Sequence, residues 1–146
     1  MPSIFSRIVS GEIPATKVYE DARTLAFLDI NPASRGHVLV VPKDEYPDIW
    51  TMPPELVAAV ALTAQRLAHA IRAALKPDGL NILQNNGAAS GQSVFHYHVH
   101  LIPRWQGDGV LHPWRPQPAT PEELEAVAAQ IRRALATEDD DSTSGG

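Results

Sequence analysis

Three of the six histidines in this chain stand at every second position, His96, His98 and His100 in the stretch HYHVHL. In an extended strand successive side chains alternate between faces, so these imidazoles share one face and Phe95, Tyr97, Val99 and Leu101 share the other. A rise of about 3.3 Å per residue sets neighbouring imidazoles roughly 6 to 7 Å apart, a spacing that lets them meet one guest while keeping the rings out of direct contact. Histidine titrates near neutrality and costs free energy when buried without a partner, so three in alternation point to a site rather than to packing.

Two chemistries suit such a face. Neutral imidazole ligates zinc, copper, iron or nickel, and histidines at i and i+2 on a strand can reach one ion. A third ligand from His100 would need a distorted strand, because i and i+4 lie about 13 Å apart, so His37 or Asp29 is the better third. The other chemistry is nucleophilic catalysis at phosphorus. A central imidazole held at one ring nitrogen by a backbone carbonyl attacks with the other, while a neighbouring histidine hydrogen-bonds the phosphoryl oxygens. The loop just before the histidines, GAASGQSV, brings backbone N–H groups and the polar side chains of Gln92 and Ser93 next to that centre. The chain has no P-loop and no dinucleotide-binding glycine fingerprint, so phosphate chemistry must use another device.

Periodicity supplies the elements that position this stretch. Ser3 to Ser10 reads as a short helix with Ser3 as N-cap and Gly11 as the stop. Lys17 to Glu20 and Thr24 to Ile30 read as a hairpin around Asp21 to Arg23, and Gly36 to Pro42 as a buried central strand with His37 at its start. The alanine-rich Glu55 to Leu75, with Leu56, Val60, Leu67, Ile71 and Leu75 on a shared face, is a long helix broken by Pro77 and Gly79. His69 and Arg72 within it belong to the solvated face. Leu80 to Gln84 resumes strand character, and Asn85 to Gln92 is a loop that delivers the chain to the histidines. A second helix is expected from Glu122 to Leu135, with Thr120 as cap and Pro121 in its first turn. The order favours an α+β domain with an antiparallel sheet of about five strands.

At 146 residues and 44% hydrophobic content the chain fits one domain, drawn over residues 1–137, followed by an acidic tail, 138–146, with too little apolar surface to order. Glu138 to Asp141 contribute four charges to a net charge of −5, so the body is near neutral and lacks the basic clusters of a nucleic-acid surface. The absence of cysteine excludes disulfides and thiol chemistry and fits a reducing interior. No stretch approaches the ~20 apolar residues of a membrane span, and a cytoplasmic location is expected.

The segments SIFSRIVSGEIPA, LAFLDINP, GHVLVVPK and GQSVFHYHVHLIPR, spread over residues 3–104, resemble the histidine triad (HIT) family of nucleotide hydrolases and transferases. The family's alternation of histidine and apolar residues is matched from His96 to Ile102, and the likeness is strongest to Hint-type and bacterial members. The resemblance implies an HIT-like fold in a two-fold dimer, the sheets joined across subunits and the long helix near the interface. It also implies that His98 is the nucleophile, nucleotidylated at the α-phosphorus, with His96, His100 and His37 completing the histidine network. Asn85, Gly91, Gln92 and Ser93 then lie along the phosphate and leaving group. Asp29 holds the ribose hydroxyls, and Phe5, Ile8, Ile13, Phe27 and Ile30 wall the purine. Many bacterial members bind a structural zinc through two cysteines, a histidine after a Pro-Lys pair and a triad histidine. Here Ser3, Ser6 and Glu45 occupy those positions, so that metal site is expected to be lost and no cofactor is expected. The functions that follow are hydrolysis of a purine nucleoside phosphoramidate or nucleoside monophosphate ester, hydrolysis or phosphorolysis of a dinucleoside polyphosphate, or service as a nucleotide-binding interaction module.

Overall fold

The computed structural model describes residues 1–144, with side chains described through residue 138. Five strands, β1 Lys17–Glu20, β2 Thr24–Leu28, β3 Val38–Pro42, β4 Gly79–Gln84 and β5 Val99–Arg104, form one sheet in the order β1-β2-β3-β5-β4. Every neighbouring pair is antiparallel. Helices α1 Ile4–Val9 and α2 Pro54–Leu75 cover the sheet, which makes the α+β architecture expected from the sequence.

Period-two alternation in the central strands divides the core between the two faces. Ala26, Val38, Val40, Val99 and Leu101 turn towards α2, where Leu56, Val60, Leu67 and Ile71 meet them. Leu25, Phe27, Leu39 and Val41 turn the other way, towards Phe5 and Ile8 of α1. Both faces of β3 are therefore apolar, as its unbroken β-branched run requires. Only six residues long, α1 is held by the burial of Phe5 and Ile8, worth roughly 1.5–3 kcal/mol each, and by Ser3, whose hydroxyl caps it by accepting from the Ser6 N–H. At the hairpin, Asp21 Oδ1 accepts from the N–H groups of Arg23 and Thr24 at 2.9 and 2.8 Å, an Asx turn that reverses the chain between β1 and β2.

The last paired segment differs from expectation. Strand geometry starts only at Val99, so His96 and His98 precede the ladder instead of belonging to it. Tyr97, Val99 and Leu101 do enter the α2-side core, but Phe95 is 53% exposed because the chain at that point has not yet joined the sheet.

The contacts divide the chain into two compact units, Met1–Val110 and the residues from Leu111 onward. In the second unit α3, Pro121–Ser144, begins with a reciprocal cap: Glu123 N–H donates to Thr120 Oγ1 and Thr120 N–H to Glu123 Oε2, both at 3.2 Å. Helical backbone continues past Leu135 through residues 138–144, which composition assigned to an unordered tail; the final two residues of that tail lie outside the described residues.

Gly36 immediately precedes His37 and β3, and its backbone packs against Leu75 at the end of α2. Its φ is +88°, and a Cβ there would run into the side chain of Leu75. Gly36→Ala should destabilise the fold by about 1–3 kcal/mol from the left-handed backbone and the collision together. A thermal midpoint equal to that of the parent chain would contradict this packing.

Candidate active site

Four imidazoles converge on the α1 side of the sheet, and main-chain groups decide which nitrogen of His37, His96 and His98 bears the proton. The N–H of Ala33 donates to His37 Nδ1 at 3.0 Å, so neutral His37 carries its proton on Nε2. That Nε2–H faces His100 Nδ1 at 3.0 Å, which leaves the proton of His100 on its own Nε2. His98 Nδ1–H donates to the carbonyl of His96 at 2.7 Å, leaving His98 Nε2 with a free lone pair. His96 Nε2–H donates to the carbonyl of Pro42 at 2.8 Å, and its Nδ1 accepts from the Ser3 hydroxyl at 2.7 Å. The set thus presents one basic nitrogen, on His98, beside one N–H donor, on His100.

The rings are closer than strand spacing alone implies. His98 and His100 meet edge to face with centroids 4.9 Å apart, and His37 and His100 are hydrogen-bonded. The estimate of 6 to 7 Å, too far for ring contact, assumed side chains standing straight off a regular strand. His98 lies before the ladder, and its ring folds back onto the carbonyl two residues earlier.

His98 and His100 open into a cavity of about 360 Å³, large enough for a small ligand. Phe5, Ile8, Ile13 and Phe27 line its apolar side, and Asp29 and Ser93 add polar groups at the same cavity. Ile30 also lines it but is 85% exposed, so it forms a rim and not a wall. Phe5 meets the rings of His98 and His96 edge-on, at 5.0 and 5.8 Å between centroids. Asp29 Oδ2 lies 3.7 Å from His37 Nε2, and its Oδ1 accepts from the Asn31 N–H at 2.8 Å. Ile4, Pro14, Ala15, Leu28, Asn31, Leu39 and Val94 complete the lining; nothing in their types sets them apart in the sequence from ordinary core or loop.

The loop before the histidines is tied together by hydrogen bonds of its own. Gln92 is buried and spans the loop: its Oε1 accepts from Gly87 N–H at 2.7 Å, and its Nε2 donates to the carbonyls of Pro47 and Val94 at 2.6 and 3.1 Å. The N–H groups of Gly91 and Gln92 close a 3₁₀ turn, Ala88–Ser90, by bonding to the carbonyls of Ala88 and Gly87. Gly91 has φ +102° and sits against the amide of Asn85. Neither Asn85, Gly91 nor Gln92 borders the cavity; Gln92 instead fixes the loop from which Ser93 reaches it.

Two groupings bear on metal binding. Among the described residues, Asp29, His37 and His100 place ligand-type atoms within 4.8 Å of one another, a set that includes the two outlying ligands anticipated from sequence but not His96 or His98. The second grouping surrounds His96. Glu45 Oε1 accepts from the Ser3 N–H and, at 2.9 Å, from the Ser6 hydroxyl, and lies 3.9 Å from His96 Nδ1. Hydroxyls are poor zinc ligands beside thiolates, and Ser3 Oγ is already engaged between Ser6 N–H and His96 Nδ1. These residues do not fit a structural zinc. The hydrogen bonds from Ser3 and Ser6 hold the Glu45 carboxyl down to about 2, so it is an anion at neutral pH.

Burial is the main influence on all four imidazoles and pushes each below the ordinary histidine value. Asp29 opposes the shift at His37, and the bonds to the carbonyls of Pro42 and His96 oppose it at His96 and His98 respectively. His100, with His98 and His37 as like-charged neighbours in addition, is pushed down to about 4. The site is therefore uncharged on its histidine side at neutral pH.

Comparison with known proteins points to one family. Residues 10–107 match the model of the HIT domain. "Protein hit" of Bacillus subtilis is 43% identical over 137 residues, covering 92% of this chain and 94% of that protein. An adenosine 5′-monophosphoramidase of Schizosaccharomyces pombe is 39% identical over 132 residues, covering 90% and 96%. The crystal structure of a HIT family member from Bacillus subtilis superposes with a TM-score of 0.86 at 39% identity, over 91% of this chain and 96% of that one.

The depressed histidines make stability depend on pH with a definite sign. Between their folded values and the ordinary 6.5 the unfolded chain binds more protons than the folded one. Their contribution is present above about pH 6.5 and is lost as pH falls towards 4. The thermal midpoint should fall over that interval, and His100→Asn should flatten the slope; a pH-independent midpoint would contradict the assignment.

Proposed function

This chain belongs to the HIT family, and from that premise we propose that it hydrolyses purine nucleoside phosphoramidates or nucleoside monophosphate esters through a nucleotidyl-histidine intermediate on His98. The observation that carries the reading is the 2.7 Å bond from His98 Nδ1 to the carbonyl of His96, which leaves Nε2 of this cavity-lining ring without a proton. The phosphoramidase activity named for the Schizosaccharomyces pombe relative supports the substrate class.

In this reading Nε2 of His98 attacks the α-phosphorus and the bond to the leaving group breaks. The positive charge that develops on the ring is stabilised through Nδ1–H by the His96 carbonyl. His100 Nε2–H, its tautomer fixed through His37 and Ala33, donates to a phosphoryl oxygen. Water then attacks the same phosphorus and frees the nucleoside monophosphate and the His98 ring. Asp29 takes the ribose hydroxyls, Phe5, Ile8, Ile13 and Phe27 flank the base, and Ser93 faces the leaving group. Low histidine basicity suits this role, because a neutral His98 is the attacking form at neutral pH.

The chain is proposed to work in the cytoplasm as a two-fold dimer. No helix among the described residues is long and apolar enough to cross a membrane. Strand β4 is an edge of the sheet with Ile82 exposed, a surface suited to pairing with its copy. Sedimentation should report the mass of two chains; a monomer at micromolar concentration would refute the dimer.

Adenosine 5′-phosphoramidate tests the reaction. Wild type should release AMP and, when quenched early, carry one adenylyl group on His98 by intact-mass and peptide analysis. His98→Ala should lose turnover by about 10⁴-fold or more. Equal turnover by the two proteins would remove His98 from the mechanism. Faster turnover of diadenosine polyphosphates than of the phosphoramidate would reassign the leaving group.

A further inference from the structure

The reaction above makes no use of the polar cluster on the far side of His96. The His96 ring is fully enclosed, at 0% exposure, yet both of its nitrogens are satisfied. One partner is the carbonyl of Pro42, at the end of β3. The other is Ser3, at the start of α1, at 2.7 Å from Nδ1, with the Ser6 hydroxyl farther off at 3.4 Å.

We propose that Ser3 is a positioning residue for the attacking imidazole, holding His96 in its Nε2–H form without a metal ion, and that Glu45 holds Ser3 in place. The inference rests on His98 being the nucleophile. It assigns a hydrogen-bonded clasp to the positions where the family resemblance implied a zinc site in other members.

The directions of the hydrogen bonds carry it. Pro42 offers only a carbonyl, so His96 Nε2 must donate and Nδ1 must accept. Ser3 Oγ already accepts from Ser6 N–H at 2.9 Å, which leaves its own proton for His96 Nδ1 at 2.7 Å. Glu45, an acceptor only, fixes the remaining donors of this corner, the Ser3 N–H and the Ser6 hydroxyl. The chain of donors runs one way, ending at a ring that cannot turn over without breaking bonds at both ends.

What this ring holds is a backbone oxygen. His96 precedes the first ladder pair of β5, Val40 with Val99, so its carbonyl is placed by its ring and by the neighbouring Tyr97 N–H, which donates to Tyr46 O at 2.7 Å. That carbonyl accepts from His98 Nδ1–H and so selects which nitrogen of His98 is free to attack. The same helix reaches His98 directly through the edge of Phe5, so α1 sets both the tautomer and the tilt of the attacking ring.

Long-range proton–nitrogen spectra of the imidazoles read the tautomers without relying on turnover. Wild type should show His96 protonated at Nε2 and His98 protonated at Nδ1, and the purified protein should hold no stoichiometric zinc. In Ser3→Ala the His98 signals should become a mixture of tautomers, and kcat should fall roughly tenfold while KM changes by less than about twofold. Ser3→Thr, which keeps the hydroxyl and the cap, should restore both readouts. Should Ser3→Ala fail to fold, Glu45→Ala provides the same comparison. A single unchanged His98 tautomer in the folded variant, or one zinc per chain in the wild type, would overturn the inference. An inactive wild type whose tautomers respond as stated would instead remove the reaction and leave the clasp standing.

Discussion

The bond from His98 Nδ1–H to the carbonyl of His96 is the constraint on which the rest of the site depends. A neutral imidazole has one donor and one acceptor nitrogen, and the proposed attack on phosphorus needs the acceptor pointed into the cavity. Fixing the donor to a main-chain oxygen two residues back does this without spending another side chain. His37 and His96 are fixed in the same manner, by the Ala33 N–H and the Pro42 carbonyl. His100 inherits its tautomer from His37.

This arrangement also makes burial of the histidines tolerable. A buried polar group without a partner costs on the order of 1–3 kcal/mol, and four such rings would consume much of a small domain's stability. Among the described residues no buried side-chain nitrogen or oxygen lacks a partner. Burial in turn keeps the rings uncharged, which is the state in which the hydrogen-bond directions hold. Packing and chemistry are coupled through α1: Phe5 fills the apolar face beside Phe27 and also touches the ring of His98.

Much of the fold was legible because its signals are local. Ser3 before an apolar pair marked a helix start and is the N-cap; the β-branched run to Pro42 marked a strand buried on both faces; Asp21 marked the hairpin turn. What escaped were features set by contacts distant in sequence. Gln92 has the composition of a phosphate-binding residue, but its amide is taken up by Gly87, Pro47 and Val94, and Pro47 is remote along the chain. Phe95 fits the alternation of the histidine stretch and is nonetheless exposed, since the ladder with β3 begins only at Val99.

The sequence by itself determined the kinds of groups present and their periodicity: three histidines on one side of a strand-like segment, an acidic residue at the end of β2, a polar loop and two serines in place of thiols. These follow from side-chain identity and from the two-residue repeat of extended backbone. Only the tertiary structure decided how the histidines differ. The partners that assign their protons are main-chain groups of Ala33, Pro42 and His96, and a main-chain N–H or carbonyl is the same at nearly every position. Which one faces a given ring depends on how strands and loops far apart in the chain come together, so the inequality of His96, His98 and His100 belongs to the fold.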